Sequence, residues 1–288
     1  MRTIRVIAGP TASGKSALAL AEARAKGGVV INADASQMHA AIRIVSAQPT
    51  AAEQADVPHR LFGFLGPEES CSAARWACLA RAEVEACWQQ GALPILVGGT
   101  GLYLRTLIDG IAPVPDIAPE IRAEVRRLSP EAVRTALLRE DPAMAARLHP
   151  NDPQRNARAL EVMRATGRSL FQWQQAPREG GLGACARIDA LVLEPPRALL
   201  HQRIGARIAA MWAEGALEEV RAVASLGLAP STAILRAIGV PPLLAHLEGR
   251  LTAADALARW ALDTRRYAKR QATWFRHQAP DWPRASHA

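Results

Sequence analysis

Gly9-Pro10-Thr11-Ala12-Ser13-Gly14-Lys15-Ser16 carries the spacing GxxxxGK[ST], follows a β-type run and opens a helical pattern. That is the context a phosphate-binding loop requires. Backbone N–H groups in such a turn, with the N-terminus of the helix behind them, make a nest for anions. Lys15 adds a positive charge, and the Ser16 hydroxyl can serve as a ligand to Mg²⁺. The motif specifies a diphosphate group but no reaction. A second chemical residue, Asp34, ends the apolar run Val29–Ala33. At the carboxyl end of a buried strand it suits either the metal ligand of a nucleoside triphosphatase or a general base. A loop-capping aspartate is the bland alternative, and the residue pattern does not choose among the three.

The third constellation lies near the C-terminus. A helix is expected over Thr252–Gln278, opened by Thr252-x-x-Asp255 as a variant capping box. On a wheel counted from Arg265, Arg265, Lys269 and Arg276 fall at about 0–40° and Arg259, Arg266 and Arg270 at about 100–140°. Leu257, Trp260, Tyr267, Ala268, Trp274 and Phe275 fill the opposite arc and read as core. The basic arc is then a rail for phosphates or a solvated face, and with Asp263 as its acidic neighbour the rail is favoured.

The elements that must hold these groups alternate strand and helix. Met1–Ala8 reads as a strand, with a β-type run from Thr3. An alanine-leucine helix to about Lys26 ends at Gly27-Gly28, Val29–Ala33 is a second strand, Ala73–Gln90 a helix, and Leu93–Val97 a third strand. This predicts an α/β fold, a P-loop parallel sheet with helices on both faces. From Pro115 to about Pro177 there are only helical signals, including Asp152-Pro153 as a helix start and Gly167 as its stop. Ile188–Leu193 returns to strand, and everything after Pro196 reads as helix. We therefore expect a core domain of residues 1–112 and 181–288 with a helical insertion domain at 113–180.

Composition narrows the partners. The chain has 288 residues, 49% hydrophobic and 22% charged, as in an ordinary globular protein, and no apolar run long enough to span a membrane. The N-terminal strand is too short for a signal peptide. Cys71, Cys78, Cys87 and Cys185 show no paired spacing and read as reduced thiols of a cytoplasmic protein. Net charge is +8, which favours a polyanionic partner, although 32 of the 35 basic residues are arginine, as compositional drift would also produce.

Taken together, several motifs resemble one family, the tRNA dimethylallyltransferases (tRNA isopentenyltransferases), of bacterial type. They are GPTASGKS at Gly9–Ser16, NADASQ at Asn32–Gln37, PHR at Pro58–Arg60, and LVGGTGLYL at Leu96–Leu104. Further on come DPAMAARLHPNDPQRNARALEVMRATG at Asp141–Gly167, QRIGARIAAM at Gln202–Met211, and AKRQATWFR at Ala268–Arg276. They run in the family's order over nearly the whole chain, and GGTGLY, HPNDPQR and KRQxTWFR are more specific than the phosphate loop.

The resemblance implies transfer of a dimethylallyl group from dimethylallyl diphosphate to the exocyclic amine of the adenosine 3′ of the tRNA anticodon, with release of diphosphate. It implies three catalytic residues: Asp34 as the general base, Arg207 to stabilise the leaving diphosphate, and Thr100 near the target nucleotide. Gly9, Pro10, Thr11, Ala12, Ser13, Gly14, Lys15 and Ser16 would hold the diphosphate, with Mg²⁺ at Ser16. The tRNA would be touched by Asp34, Ala35, Ser36 and Gln37, by Thr100 and Arg122, and by Gln154, Arg155, Asn156, Ala157 and Arg158. Further contacts would come from Arg236, Ala237, Ile238, Gly239, Val240 and Pro241, and from Lys269, Arg270, Gln271, Ala272, Thr273, Trp274, Phe275 and Arg276. A monomer is expected, without the zinc-finger tail of eukaryotic relatives.

Blander readings accompany these. Gly98, Gly99 and Gly101 also suit a tight strand-to-helix turn, Arg122, Arg155 and Arg158 suit a solvated surface, and Arg203 and Arg207 suit surface ion pairs. The chain departs from the family with Ala35 for serine, His39 for tyrosine, Val45-Ser46-Ala47-Gln48-Pro49 for GTAKP, and Gly239-Val240-Pro241 for a glycine-tyrosine segment. Two other functions share the loop: a small-molecule kinase, which leaves HPNDPQR and KRQATWFR without purpose, and a non-catalytic RNA-binding regulator, which leaves Asp34, Lys15 and Thr100 without one.

Overall fold

In the computed structural model, which describes residues 2–286, the chain divides into two compact units, Met1–Ile108 with Leu182–Ala288 and Asp109–Gly181. The junctions fall at 108/109 and 181/182, against the expected 112/113 and 180/181. Met1, where the sequence reading began the first strand, lies outside the described residues.

The first unit opens with β1 (Thr3–Ala8), α1 (Lys15–Lys26), β2 (Gly28–Asn32), α2 (Ala51–Asp56), β3 (His59–Arg60), α3 (Ala73–Gln89), β4 (Leu93–Gly98) and α4 (Gly101–Asp109). The second unit holds α5 (Pro119–Arg127), α6 (Pro130–Glu140), α7 (Pro142–Arg147), α8 (Pro153–Thr166) and α9 (Leu170–Gln175). The chain then returns to the first unit through β5 (Arg187–Leu193), α10 (Arg197–Ala213), α11 (Ala216–Ala224), α12 (Val240–Leu247), α13 (Ala253–Gln278) and β6 (Arg284–Ala285).

The strands form one sheet in the order β3-β2-β4-β1-β5-β6, and every neighbouring pair is parallel. The period of two in the strands sorts their apolar residues onto two faces. Ile4, Val6, Val29, Ile31 and Leu96 pack with Trp76 of α3, Leu104 and Leu107 of α4, and Phe275 of α13. Ile7, Val30, Ile95 and Val97 pack on the other face with Ala19 and Ala23 of α1. The small residues of α1 let it lie close, and Gly27 ends it in the left-handed conformation at φ 61°. A third cluster joins α10, α11, α12 and α13 through Ile204, Ile208, Val220, Leu243 and Trp260. The sheet with helices on both faces is the architecture the sequence predicts.

One correction and one addition concern short strands. The reading of everything after Pro196 as helix fails at Arg284–Ala285, which pairs with Val192–Leu193, and His59–Arg60 pairs with Val30–Ile31. Two-residue edge strands display no period, so nothing in the sequence marks them.

The second unit has its own core of Val125, Val133, Leu137, Met144, Ala145 and Leu160. Asp152 caps α8 by accepting the Arg155 N–H at 3.1 Å, with Pro153 in the first turn and Gly167 closing at φ 66°. Ion pairs brace the helices: Arg164 reaches Glu140 at 2.9 Å and Glu124 at 2.8 Å. The Arg164 hydrogen bond, foremost among its causes, holds the Glu140 carboxyl at about 2.

The helix α13 carries the amphipathic wheel as expected, with Thr252 accepting the Asp255 N–H at 3.1 Å. Trp260, Ala268 and Phe275 are buried, while Leu257, Tyr267 and Trp274 are half-buried. Phe275 is fully enclosed, edge-on to Trp274 with ring centroids 5.1 Å apart. Phe275→Ala should therefore lower unfolding free energy by about 3–5 kcal/mol in urea titration, and Trp274→Ala by less. A Phe275→Ala protein within about 1 kcal/mol of wild type would contradict this packing.

Candidate active site

The carboxyl ends of β1, β2 and β4 lie side by side, and each delivers a loop. After β1, the phosphate loop leaves with Gly9 at φ 144°, Ala12 at φ 63° and Gly14 at φ 99°. A left-handed Ala12 is costly for a residue with a Cβ, so the surroundings must enforce the turn. Three contacts do so. Lys15 Nζ donates to the Pro10 carbonyl at 3.1 Å, Gln271 Oε1 accepts the Thr11 N–H at 2.8 Å, and Arg203 Nη1 donates to the Ser13 carbonyl at 3.2 Å. The Ser13 hydroxyl is buried without a partner. An unpaired buried hydroxyl inside an anion nest is a donor awaiting a ligand.

Lys15 is only 8% exposed. Burial lowers its ammonium to about 8, Asp34 works against that shift, and Arg207 adds to it. Arg207 on α10 keeps part of its length in solvent, yet the protein around its guanidinium lowers its pKa, with the Asp34 carboxylate opposing. Lys15, Arg207 and Asp34 thus share one electrostatic neighbourhood, two cations beside one carboxylate.

Asp34 follows β2 and is 7% exposed. Its N–H donates to Asn32 Oδ1 at 2.8 Å, and Asn32 Nδ2 donates to the carbonyls of Asp34 and Leu61, both at 3.0 Å. The Ser36 N–H and hydroxyl both donate to Asp34 Oδ1, at 3.1 and 2.7 Å. With both bonds on Oδ1, Oδ2 is the oxygen left to meet a substrate. From the next strand, the Thr100 N–H donates to the Ala33 carbonyl at 3.1 Å, and Thr100 Oγ1 accepts the Ala35 N–H at 3.0 Å. The Trp76 indole donates to the Asn32 carbonyl at 2.9 Å and stacks on Tyr103, whose hydroxyl donates to the Cys71 carbonyl at 2.9 Å. Asp34 is held by backbone and indole, on rigid strand ends.

The glycines between β4 and α4 answer to space. Gly98, Gly99 and Gly101 do not take positive φ. A Cβ on Gly99 would lie 1.9 Å from Gln271 Nε2, and one on Gly101 2.1 Å from the Trp274 ring. The helix α13 is pressed onto this turn through residues three apart on one face. Tyr267, from the same face, is not simply core: burial raises the pKa of its hydroxyl, and the nearby Asp34 carboxylate adds to the rise.

The structure sorts the residues singled out in sequence. Asp34, Thr100, Lys15 and Arg207 come together. Gln37 turns inward, its Nε2 donating to the carbonyls of Ser46 and Ala47 at 3.1 and 2.6 Å. Gly239 and Val240 are buried, and a Cβ on Gly239 would lie 2.6 Å from Trp260. Gln271 and Phe275 are buried, and Trp274 is half-buried over Gly101. Arg236, Pro241, Lys269, Arg270, Thr273 and Arg276 are exposed; Ala35, Ser36, Ala237, Ile238 and Ala272 are partly so. Within the second unit Asn156 is buried, its Nδ2 binding the carbonyls of His149 and Asp152 and its Oδ1 accepting from Arg134. It shapes the turn before α8. Arg122, Gln154, Arg155 and Arg158 are exposed and Ala157 is partly so, with Arg155 and Arg158 paired to Asp152 and Glu161.

Two features of the basic arc are revised. Arg276 pairs with Glu194 at 2.6 Å, a partner the wheel did not show, and Arg259 and Arg266 share Asp263 at 2.8 and 3.7 Å. Arg203, open to a surface ion-pair reading, instead holds the phosphate loop. Its position four residues before Arg207 was the available signal. His39, where the family usually has tyrosine, is buried and its pKa is lowered, chiefly by that burial.

Among the described residues no group of three His, Cys, Asp or Glu could enclose a metal ion, and no helix is long and apolar enough to cross a membrane.

Comparison with known proteins gives the family. The model of the IPP transferase family matches residues 37–278, and that of the isopentenyl transferases matches residues 2–62. The tRNA dimethylallyltransferase of Sphingopyxis alaskensis is 54% identical over 281 residues, covering 97% of this chain and 92% of the relative. That of Acidiphilium cryptum is 52% identical over 281 residues, covering 96% and 85%. Among solved structures, the tRNA isopentenylpyrophosphate transferase of Bacillus halodurans superposes with a TM-score of 0.70 at 31% identity, covering 99% of this chain and 90% of that one. A eukaryotic dimethylallyltransferase acting on tRNA superposes at 0.80 and 27% identity, covering 96% and 70%. The chain belongs to the IPP transferase family.

Proposed function

We propose that the protein is a tRNA dimethylallyltransferase, moving the dimethylallyl group of dimethylallyl diphosphate to the exocyclic amine of the adenosine 3′ of the anticodon. One observation carries the reading. A carboxylate anchored through one oxygen, Asp34 Oδ1, stands in the same electrostatic neighbourhood as the phosphate-loop lysine. A base and a diphosphate grip side by side are what this reaction needs. The similarity to relatives named for the reaction supports it.

The amine nitrogen attacks the allylic carbon, and the carbon–oxygen bond to diphosphate breaks, its electron pair leaving with the diphosphate. Asp34 Oδ2 takes the proton released from the amine. Loop N–H groups, the Ser13 hydroxyl, Lys15 and Arg207 collect the charge that develops on the departing oxygens. Because the Ser13 hydroxyl and Lys15 are already desolvated, little reorganisation is required there during the step. Thr100 and Tyr267 hold the ledge beside Asp34 on which the adenine would rest. The target base must leave its stack to reach this ledge.

A Mg²⁺ ion fits the site only as a partner of the diphosphate. The protein offers the exposed Ser16 hydroxyl in the first turn of α1, and among the described residues there is no carboxylate cluster. That donor set suits a cation keeping its waters and taking its remaining ligands from phosphate. Bound there, Mg²⁺ would neutralise charge on the diphosphate. The exposed Lys269, Arg270 and Arg276 on α13, and Arg122, Arg155 and Arg158 in the insertion, are the proposed tRNA phosphate contacts.

Purified protein incubated with labelled dimethylallyl diphosphate, Mg²⁺ and bulk tRNA should label tRNA without ATP. Strict dependence on ATP would instead favour the kinase reading. Asp34→Asn should slow transfer by about two to four orders of magnitude while both substrates still bind; unchanged turnover would remove Asp34 from the role of base.

The buried Lys15 makes a second forecast. Folded Lys15 releases its proton near 8, whereas the unfolded chain holds it to about 10.4. Between those values the unfolded state binds more protons, so this group makes stability rise with pH there. Anion binding runs the other way, since only the ammonium attracts diphosphate. The ratio of diphosphate affinities, wild type over Lys15→Arg, should be level below pH about 8 and fall above it, the ligand's own ionisation being common to both proteins. Parallel profiles for the two proteins would contradict the shift.

A further inference from the structure

We infer that Gln271 is a positioning residue for the diphosphate loop and not a contact for tRNA. It sits within a segment otherwise rich in RNA-directed cations, and its outward neighbours Lys269 and Arg270 are exposed. Gln271 itself is 4% exposed. Its Oε1 accepts the Thr11 N–H at 2.8 Å, which fixes the residue just before the left-handed Ala12. Left free, that N–H would have many orientations, and the loop could relax from the strained turn.

The amide is held from behind as well. Its Nε2 is buried with no partner in hydrogen-bond geometry, over the position where a Gly99 side chain would stand. A buried donor left unpaired is unfavourable, so the placement of this glutamine is not explained by stability. It is explained if the acceptor end is what matters: glutamine is long enough to reach Thr11 from α13 and carries a carbonyl without a charge. A carboxylate in the same place would repel the diphosphate. The inference rests on the proposed function, in which Thr11 belongs to the diphosphate grip.

The test is equilibrium binding of two probes, inorganic diphosphate with Mg²⁺ and an RNA anticodon stem-loop, to wild type and Gln271→Met. Methionine keeps length and volume and removes the acceptor. Diphosphate affinity should fall about three- to tenfold, the worth of one backbone hydrogen bond, with stem-loop affinity and thermal midpoint unchanged. Weaker stem-loop binding with intact diphosphate binding would overturn the inference in favour of an RNA contact. Parallel loss of both affinities with a lowered midpoint would overturn it in favour of a merely structural role. Amide exchange in the wild-type protein gives an independent reading should the variant not fold: the Thr11 N–H should be protected without ligand, and rapid exchange there would refute the hydrogen bond. A wild type that binds no diphosphate would overturn the proposed function itself. A wild type that binds it as well as Gln271→Met does would overturn this inference alone.

Discussion

The site depends on the absence of side chains at three positions, Gly98, Gly99 and Gly101. A Cβ on Gly98 would fall 2.1 Å from the Ala33 carbonyl, on Gly99 1.9 Å from the Gln271 amide, and on Gly101 2.1 Å from the Trp274 ring. Because those atoms are missing, β2, the phosphate loop and α13 meet at the carboxyl end of the sheet. Thr100 can then donate its N–H to the Ala33 carbonyl, and Gln271 can reach Thr11. At Gly98 the obstruction is backbone and at Gly101 an indole ring, and neither yields readily to an added methyl group. The GGTG segment at 98–101 and the KRQxTW segment at 269–274 are therefore two halves of one contact.

That contact brings charge together in a protected place. Lys15 and Asp34 are both nearly enclosed, and Arg207 lies within electrostatic reach of each. Burying cations beside one another is unfavourable unless a polyanion completes the set. A diphosphate would supply it, and would find donors already oriented, including the unpaired Ser13 hydroxyl. The carboxylate is kept ready by different means: an asparagine clasp holds its backbone and Ser36 holds Oδ1, so its free oxygen depends little on the ligand for its position.

Much of this was legible in the residues. The loop motif in its strand–helix context, Asp34 at a strand's end and the α13 wheel all describe local periodicities, which sequence displays directly. The resemblance added roles that spacing leaves open. What stayed hidden were long-range consequences: that the GGTG glycines yield space to another helix, that Arg203 holds the loop, and that Asn156, Val240 and Gln271 turn inward within segments associated with tRNA. Such facts depend on which face of an element meets its neighbour. Two-residue strands such as Arg284–Ala285 lack any period by which to be seen. Tyr267 shows the limit of the helical wheel, which separates inside from outside but cannot tell core from a site wall.

The most direct test of this account is the rate of prenyl transfer by Gly101→Ala, alone and combined with Trp274→Ala. If the glycine exists to admit the tryptophan ring, Gly101→Ala should lose most of its activity while still folding. Removing the ring should then restore part of that activity, beyond what Trp274→Ala alone would suggest. Full activity in Gly101→Ala, or losses in the two variants that simply add, would contradict the claim that this crowded turn sets the geometry of the site.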